Sequence, residues 1–218
     1  MRRRNKREYR FVSVVCFVLA IVFMTSSLLK SINIHSFSME VEEYIGLYLS
    51  AFMQGYGRAC AIMVCVMEMT VGLLALKTRY HLVANAMFAT MMTFFVYLTG
   101  VNYLYPTIFG SIESCGCFGE LIHFSPQASF IKSVVLWMLS VGLLGYGLHE
   151  KRHWNLKMLV CDPYLYICIV VSLVLPLYSY FLFEEMEHTP YIVVYVALCL
   201  VIATIVCVSL RSMKMKNV

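Results

Sequence analysis

The residues of this sequence best suited to chemistry are two cysteines separated by one glycine. Cys115, Gly116 and Cys117 lie in segment 113–120, between two long apolar stretches. A disulfide across one residue closes a very small ring and strains the backbone, because the disulfide requires a torsion near 90°. Glycine absorbs such strain best. Since strained, exposed disulfides are the labile or catalytic ones, the spacing predicts thiol–disulfide exchange at Cys115 and Cys117.

Two other interpretations of this pair remain open. In the first interpretation, the disulfide is inert and has only a structural role. In the second, His123 joins the two cysteines around a metal ion, but three ligands fall short of the four that a structural zinc site uses. We therefore expect no metal here and favour exchange chemistry.

Glu68 is the second candidate, because it is an acidic residue within an apolar stretch. An ionised side chain in the bilayer costs several kcal/mol, so we expect a neutral carboxyl that faces other helices. Thr93 and Tyr97 are the expected hydrogen-bond partners. Glu68 is then a proton carrier or a contact for a quinone or another polar ligand. The structural alternative is a buried acid that sets the helix register.

The elements that carry these residues are membrane spans. Of the 218 residues, 61% are hydrophobic and only 13% are charged, whereas soluble domains carry about 25% charged residues. This composition excludes a disordered chain and a basic nucleic-acid-binding domain. A span needs about 20 apolar residues. Six stretches qualify, which predicts an all-α, polytopic transmembrane bundle: 11–29, 59–76, 82–104, 130–148, 164–183 and 191–210.

The basic residues predict the orientation of this bundle. Fourteen of the 17 lysines and arginines fall in segments that share one side if both termini are cytoplasmic, as the positive-inside rule requires. We expect a protein of the bacterial cytoplasmic membrane, with the lipid bilayer as its surroundings and the cysteine loop on the outer, oxidising side. Ser38, followed by three glutamates within five residues, predicts the start of an amphipathic helix. This helix lies at the outer interface or, as we favour, packs across the mouth of the bundle.

The segment 115–119, Cys-Gly-Cys-Phe-Gly, between the third and fourth spans, resembles the methylamine-utilisation MauE family, which is related to DoxX-like membrane proteins. Segment 68–76, the basic turn 77–81, Ser125 with Pro126, and Lys132 are also similar to the family pattern. Ser125 as the cap and Pro126 as the first helical residue are expected to start the fourth helix. The resemblance covers roughly residues 9–150. It implies a four-span MauE/DoxX-like domain at 1–150, followed by two additional helices at 151–218.

The resemblance also implies a function, since the family is associated with maturation of a methylamine dehydrogenase whose small subunit is dense in disulfides. We expect a thiol–disulfide oxidoreductase or an accessory factor that works on an exported redox protein. Quinone is a candidate cofactor, but a relay to quinone needs further thiols and only Cys60 lies near the outer face. A periplasmic thioredoxin-like or disulfide-rich partner is therefore expected. The alternatives are a membrane scaffold or permease with a structural cysteine loop, and a DoxX-like quinone-associated subunit.

Overall fold

The computed structural model describes residues 6–48, 55–105, 125–149 and 162–182, and their side chains from residue 11 to residue 181. All regular structure within these ranges is helical. The predicted sixth span, 191–210, lies outside them, as does the segment that contains Cys115 and Cys117. Six α-helices are described: α1 (Lys6–Ile32), α2 (Ile34–Tyr48), α3 (Gly57–Ala75), α4 (His81–Leu104), α5 (Pro126–His149) and α6 (Pro163–Leu182).

Five segments of these helices are long and apolar enough to cross a membrane, which confirms the predicted helical membrane bundle. They correspond to the first five predicted stretches, with ends that differ by a few residues. Helices apolar on all sides need no water-facing stripe when lipid surrounds them. The five segments are Phe11–Ile32, Gly57–Ala75, Thr78–Leu104, Pro126–His149 and Pro163–Phe181.

The helices pack mainly as two pairs, α4 against α5 and α1 against α3. The α4–α5 pair is antiparallel, because Gly100 and Phe130 meet near one end and the Trp137 indole N–H donates to Thr93 Oγ1 at 2.9 Å further along. We call the end where α4 finishes and α5 starts the loop end. The opposite end, with the basic turn between α3 and α4, is the basic end.

A glycine brings α1 and α3 into close contact. A Cβ built on Gly72 would lie 2.5 Å from Met24 Cγ and 3.1 Å from the Ala20 carbonyl oxygen. Small residues are used in this way in membrane helices, where van der Waals packing replaces the hydrophobic drive. The core that follows is apolar and contains Cys16, Leu19, Phe23, Leu74 and Phe88.

Helix α2 differs from the sequence prediction in its start, and its contacts agree with the favoured role of packing on the bundle. It begins at Ile34, directly after α1, and Ser38 lies inside it with its hydroxyl donating to the His35 carbonyl at 2.6 Å. Ser38 is therefore not a helix cap. Ile34 and Phe37 pack on Ala61 and Cys65 of α3. Part of the apolar face of α2 thus packs against the bundle.

The chain divides into compact units at Met1–Tyr180 and Phe181–Val218. All contacts described below belong to the first unit. The expected domain division at residue 150 stays a prediction.

Candidate functional site

The described residues nearest in sequence to the cysteine loop form a fixed base for it. The Tyr103 and Phe130 rings stack with their centroids 5.8 Å apart, which ties the end of α4 to the start of α5. Ser125 Oγ accepts the backbone N–H of Ala128 at 3.3 Å, and Pro126 follows it as the first helical residue. The predicted helix start at Ser125 and Pro126 is confirmed. Cys115, Cys117 and His123 themselves lie outside the described residues.

The four cysteines within the described ranges are all free thiols. Cys16, Cys65 and Cys168 are buried in the helices, and Cys16 donates to Asn85 Oδ1 at 3.4 Å. Cys60, the expected third thiol, is half-buried. No group of three or more His, Cys, Asp or Glu side chains that could hold a metal ion occurs in these ranges.

Glu68 forms a buried ion pair with Lys30. The Lys30 ammonium lies 2.6 Å from Glu68 Oε1, and both side chains are only 2% exposed. The Phe37 and Phe95 rings each lie with their centroids 5.1 Å from the same ammonium group. The cation is therefore held by one carboxylate and two aromatic faces. This pairing supplies a counter-charge for Glu68 within the membrane bundle.

The expectation that Thr93 and Tyr97 would bond to Glu68 is wrong. Thr93 accepts from Trp137 and donates to the Ala89 carbonyl, whereas Tyr97 is 63% exposed on the bundle surface. The α4 residues that line the cavity beside Glu68 are Met92 and Phe95 instead. The depth of a residue in the membrane follows from its position along the helix, whereas the direction of its side chain depends on how the helices pack.

Sequence reasoning missed Lys30, although a signal for it exists. Three basic residues fall outside the cytoplasmic segments assigned by the positive-inside rule, namely Lys30, Arg58 and Lys132. Two of these three, Lys30 and Lys132, line the same buried cavity as Glu68. A cation that breaks the orientation rule is a better indication of an internal partner than of a loop position.

This cavity lies between α1, α3, α4 and α5 and has a volume of about 30 Å³. Two of its polar atoms, Glu68 Oε2 and Ser133 Oγ, find no hydrogen-bond partner among the described residues. The remaining walls are mostly apolar. The lining residues are Val22, Phe23, Ser26, Lys30, Glu68, Met92, Phe95, Lys132, Ser133 and Leu136.

The cavity does not fit the ring of a quinone. An engineered cavity that accepts benzene measures about 150 Å³, whereas one water molecule needs only about 10–15 Å³. With about 30 Å³, the space beside Glu68 takes water and not an aromatic ring. We therefore derive no step through quinone at this site.

A second polar cluster, at the basic end, joins the start of α6 to the turn before α4. The Tyr80 hydroxyl donates to the Asp162 carboxylate, and Lys77 and Arg79 lie 3.9 and 3.8 Å from the same group. The hydrogen bond from Tyr80 and the backbone N–H of Tyr164 lower the pKa of Asp162 below its usual value. This cluster stabilises the contact between the start of α6 and the turn before α4, and its role is structural.

The spans packed around a buried ion pair define a multi-pass helical membrane protein. The family of methylamine utilisation protein MauE matches residues 9–146, from the first turn of α1 to the last turn of α5. This match covers more than half of the chain, and the chain therefore belongs to the MauE family. The resemblance seen in the sequence is confirmed. No curated protein and no solved structure matches the chain.

Proposed function

We propose that this MauE-family membrane protein carries out thiol–disulfide exchange through Cys115 and Cys117 on the outer side of the cytoplasmic membrane. Both termini then lie in the cytoplasm. The substrate is an exported, disulfide-rich redox protein, and a thioredoxin-like protein returns the cysteine pair to its starting state. The family's link to methylamine utilisation supports a role in maturation of such a protein.

The observation that carries this proposal is the paired end of α4 and α5. The stacked rings of Tyr103 and Phe130 hold together the two helices between which the loop runs. Catalytic groups on loops require such a rigid base. The buried positions of Cys16, Cys65 and Cys168 support the same assignment, because a thiol enclosed in an apolar core does not meet a partner protein.

The exchange itself balances without an added oxidant. One thiolate of the pair attacks a partner disulfide, which forms a mixed disulfide and releases a partner thiolate. The second cysteine then attacks the mixed disulfide and releases the other partner sulfur. The cysteine pair is oxidised and the partner disulfide is reduced, with two electrons transferred. The reverse sequence oxidises a partner dithiol.

Glu68 serves in this proposal as the proton-carrying acid of the bundle. Its burial and its pairing with Lys30 mark it as more than a surface charge. Glu68→Gln keeps the shape of the side chain and removes its proton chemistry. Because this variant also loses the ion pair, exchange is compared per folded molecule after size-exclusion chromatography. We expect slower exchange, and unimpaired exchange would remove the proton-carrier role.

The exchange proposal is tested by trapping mixed disulfides. Cys115→Ser and Cys117→Ser are expressed separately, and adducts are separated on non-reducing gels and identified by mass spectrometry. The variant that retains the attacking cysteine should accumulate an adduct that reductant removes, and the double variant should form none. If neither single variant captures a partner and the double variant behaves as wild type, the loop is structural, as a scaffold or permease would have it.

A further inference from the structure

Buried polar side chains continue from the Glu68 cavity toward the loop end. Ser133 lines the cavity, and Ser129 lies one turn closer to the loop end on the same helix. In the antiparallel α4–α5 pair, Thr99 and Asn102 lie at similar levels on the facing helix. All four side chains are at most 3% exposed, so they face protein and not lipid. A polar track thus runs along α4 and α5.

Two hydroxyl groups on this track and one carboxylate oxygen need a further hydrogen-bond partner. Ser129 Oγ, Ser133 Oγ and Glu68 Oε2 are buried and make no hydrogen bond to the described part of the chain. A buried polar atom left unsatisfied costs about 1–3 kcal/mol. Internal water meets this need in most proteins, provided that the cavity is polar and holds at least one water molecule. The space beside Glu68 is large enough for one water molecule, and although most of its walls are apolar, Glu68 Oε2 and Ser133 Oγ offer that water two polar partners.

The other direction, toward the basic end, is closed by apolar packing. The Phe23 and Phe88 rings lie with their centroids 4.5 Å apart, and Leu19, Val71 and Leu74 pack in the same cluster with at most 1% exposure. The two rings offer water no polar partner, and Cys16 and Asn85, which lie nearer the basic end, bond to each other. The cavity is therefore continued by buried polar side chains toward the loop end and bounded by apolar packing toward the basic end.

We propose that the cavity beside Glu68 is a water-binding site that opens to the loop end and is sealed toward the basic end. Water reaches the cavity from the loop end, past Ser129 of α5, and bridges Glu68 Oε2 to Ser133 Oγ. The Lys30–Glu68 pair then exchanges protons with one side of the membrane only. Lys132 of α5 and Cys65 on α3 are the other titratable groups around Glu68, and α4 contributes apolar Met92 and Phe95.

This inference deepens the proposed function, and it rests on that function only in placing the loop end at the outer side. Thiols and thiolates interconvert during exchange, so protons appear and disappear where the cysteine pair works. Lys132 lies six residues after Pro126, or about 9 Å along the helix. Glu68 lines the same cavity as Lys132. A hydrated Glu68 carboxyl therefore lies toward the side of the membrane on which the cysteine pair releases and takes up protons.

Cysteine accessibility in the full-length protein tests the site. Ser133→Cys and Ser129→Cys replace a hydroxyl by a thiol. The silver ion, a charged thiol reagent about the size of a water molecule, binds the thiol where water reaches and protects it from alkylation after unfolding. Native cysteines need not be removed, because peptide mass spectrometry locates each modification. Size-exclusion chromatography of each purified variant confirms folding. Three controls lie on α5: exposed Gln127→Cys at the loop end, lipid-facing Val135→Cys, and buried Ser140→Cys beyond the cavity.

We expect loss of the free thiol at positions 133 and 129, from the same side as at 127, with the thiols at 135 and 140 retained. Modification at 127 alone overturns the water site. Modification at 140, or at 133 from both sides, overturns the one-sided seal. Right-side-out and inverted vesicles show separately which side position 127 faces. If that side is the cytoplasm, the proposed exchange function fails while the water site stands.

Discussion

Lys30 and Glu68 lie 38 residues apart in the chain and meet in a buried contact of 2.6 Å between Nζ and Oε1. The contact joins α1 to α3 at the wall of a cavity that α4 and α5 complete. In a bilayer, neither charge has an inexpensive alternative partner. The pair therefore ties the helices together, and Glu68 is the only carboxylate among the described residues that line this cavity.

Breaking the ion pair on one side should destabilise the protein more than removing both partners. Lys30→Met or Glu68→Gln leaves one uncompensated buried group, and each should lower the free energy of unfolding by about 3–5 kcal/mol. The double variant should lose clearly less than the sum of the two losses. Denaturant unfolding in detergent micelles measures all three variants. Strict additivity would show that the two side chains do not interact.

A matched control for this cycle is Lys77→Met. Lys77 is 26% exposed and lies 3.9 Å from Asp162. Because solvent partly screens this half-buried pair, the loss should be smaller than for Lys30→Met, at about 1 kcal/mol.

Gly72→Ala should separate α1 from α3. The new methyl group would overlap Met24 Cγ at 2.5 Å and crowd the Ala20 carbonyl oxygen. Overpacking of this kind costs about 1–3 kcal/mol. Gly142→Ala on α5 is the control, since nothing lies within 4 Å of its Cβ position. Thermal unfolding should show a lower midpoint for Gly72→Ala and an unchanged or higher one for Gly142→Ala, and equal midpoints would contradict the close approach.

The hydrogen bond of Tyr164 should help to hold α6 against the bundle. Its hydroxyl donates to the Leu73 carbonyl at 2.8 Å. Tyr164→Phe removes this bond and should cost about 1 kcal/mol, measured as a lower free energy of unfolding. Tyr166→Phe changes an exposed tyrosine two residues away on the same helix. A loss of the same size in both variants would assign the effect to the substitution type and not to the bond.

Asp162 should make the stability of the folded protein depend on pH in the acidic range. Its pKa is lowered in the folded protein by the hydrogen bonds from Tyr80 and the Tyr164 backbone, from a model-compound value of 3.8. A depressed folded-state pKa stabilises the protein above the unfolded-state value, and this contribution is lost as the pH falls through the folded-state value. Unfolding of wild type and Asp162→Asn at pH 7 and at pH 3 measures it. The gap between the two proteins should narrow at pH 3, and a constant gap would contradict the assignment.

Most of the bundle could be predicted from the sequence, because a span is a local property. Each of the five described spans is an apolar run of sufficient length, and each was found as such. Ser125 and Pro126 start α5 as their chemistry predicts. The start of α2 was misplaced because Ser38, although a common cap, lies within a helix that continues almost directly from α1. Local chemistry favoured a cap, and the preceding helix overrode it.

The candidate site divides along the same line. Glu68 could be singled out from the sequence, because an acid in an apolar run is costly wherever it packs. Its partner could not be predicted. Thr93 and Tyr97 occupy comparable positions along the neighbouring span, and only the packing of the helices decides which side chains meet Glu68. Gly72 lets α1 approach closely enough for Lys30 to reach Glu68.

The sequence by itself determined the class of protein, its described spans and its family, because hydropathy, helix starts and the MauE pattern are properties of neighbouring residues. Only the tertiary structure decided that Lys30 pairs with Glu68 beside Ser133, in a cavity fit for water and not for a quinone. The physical reason is that a helix in lipid is apolar on every side. Its rotation is therefore set by contacts between residues far apart in the chain, and not by its own pattern.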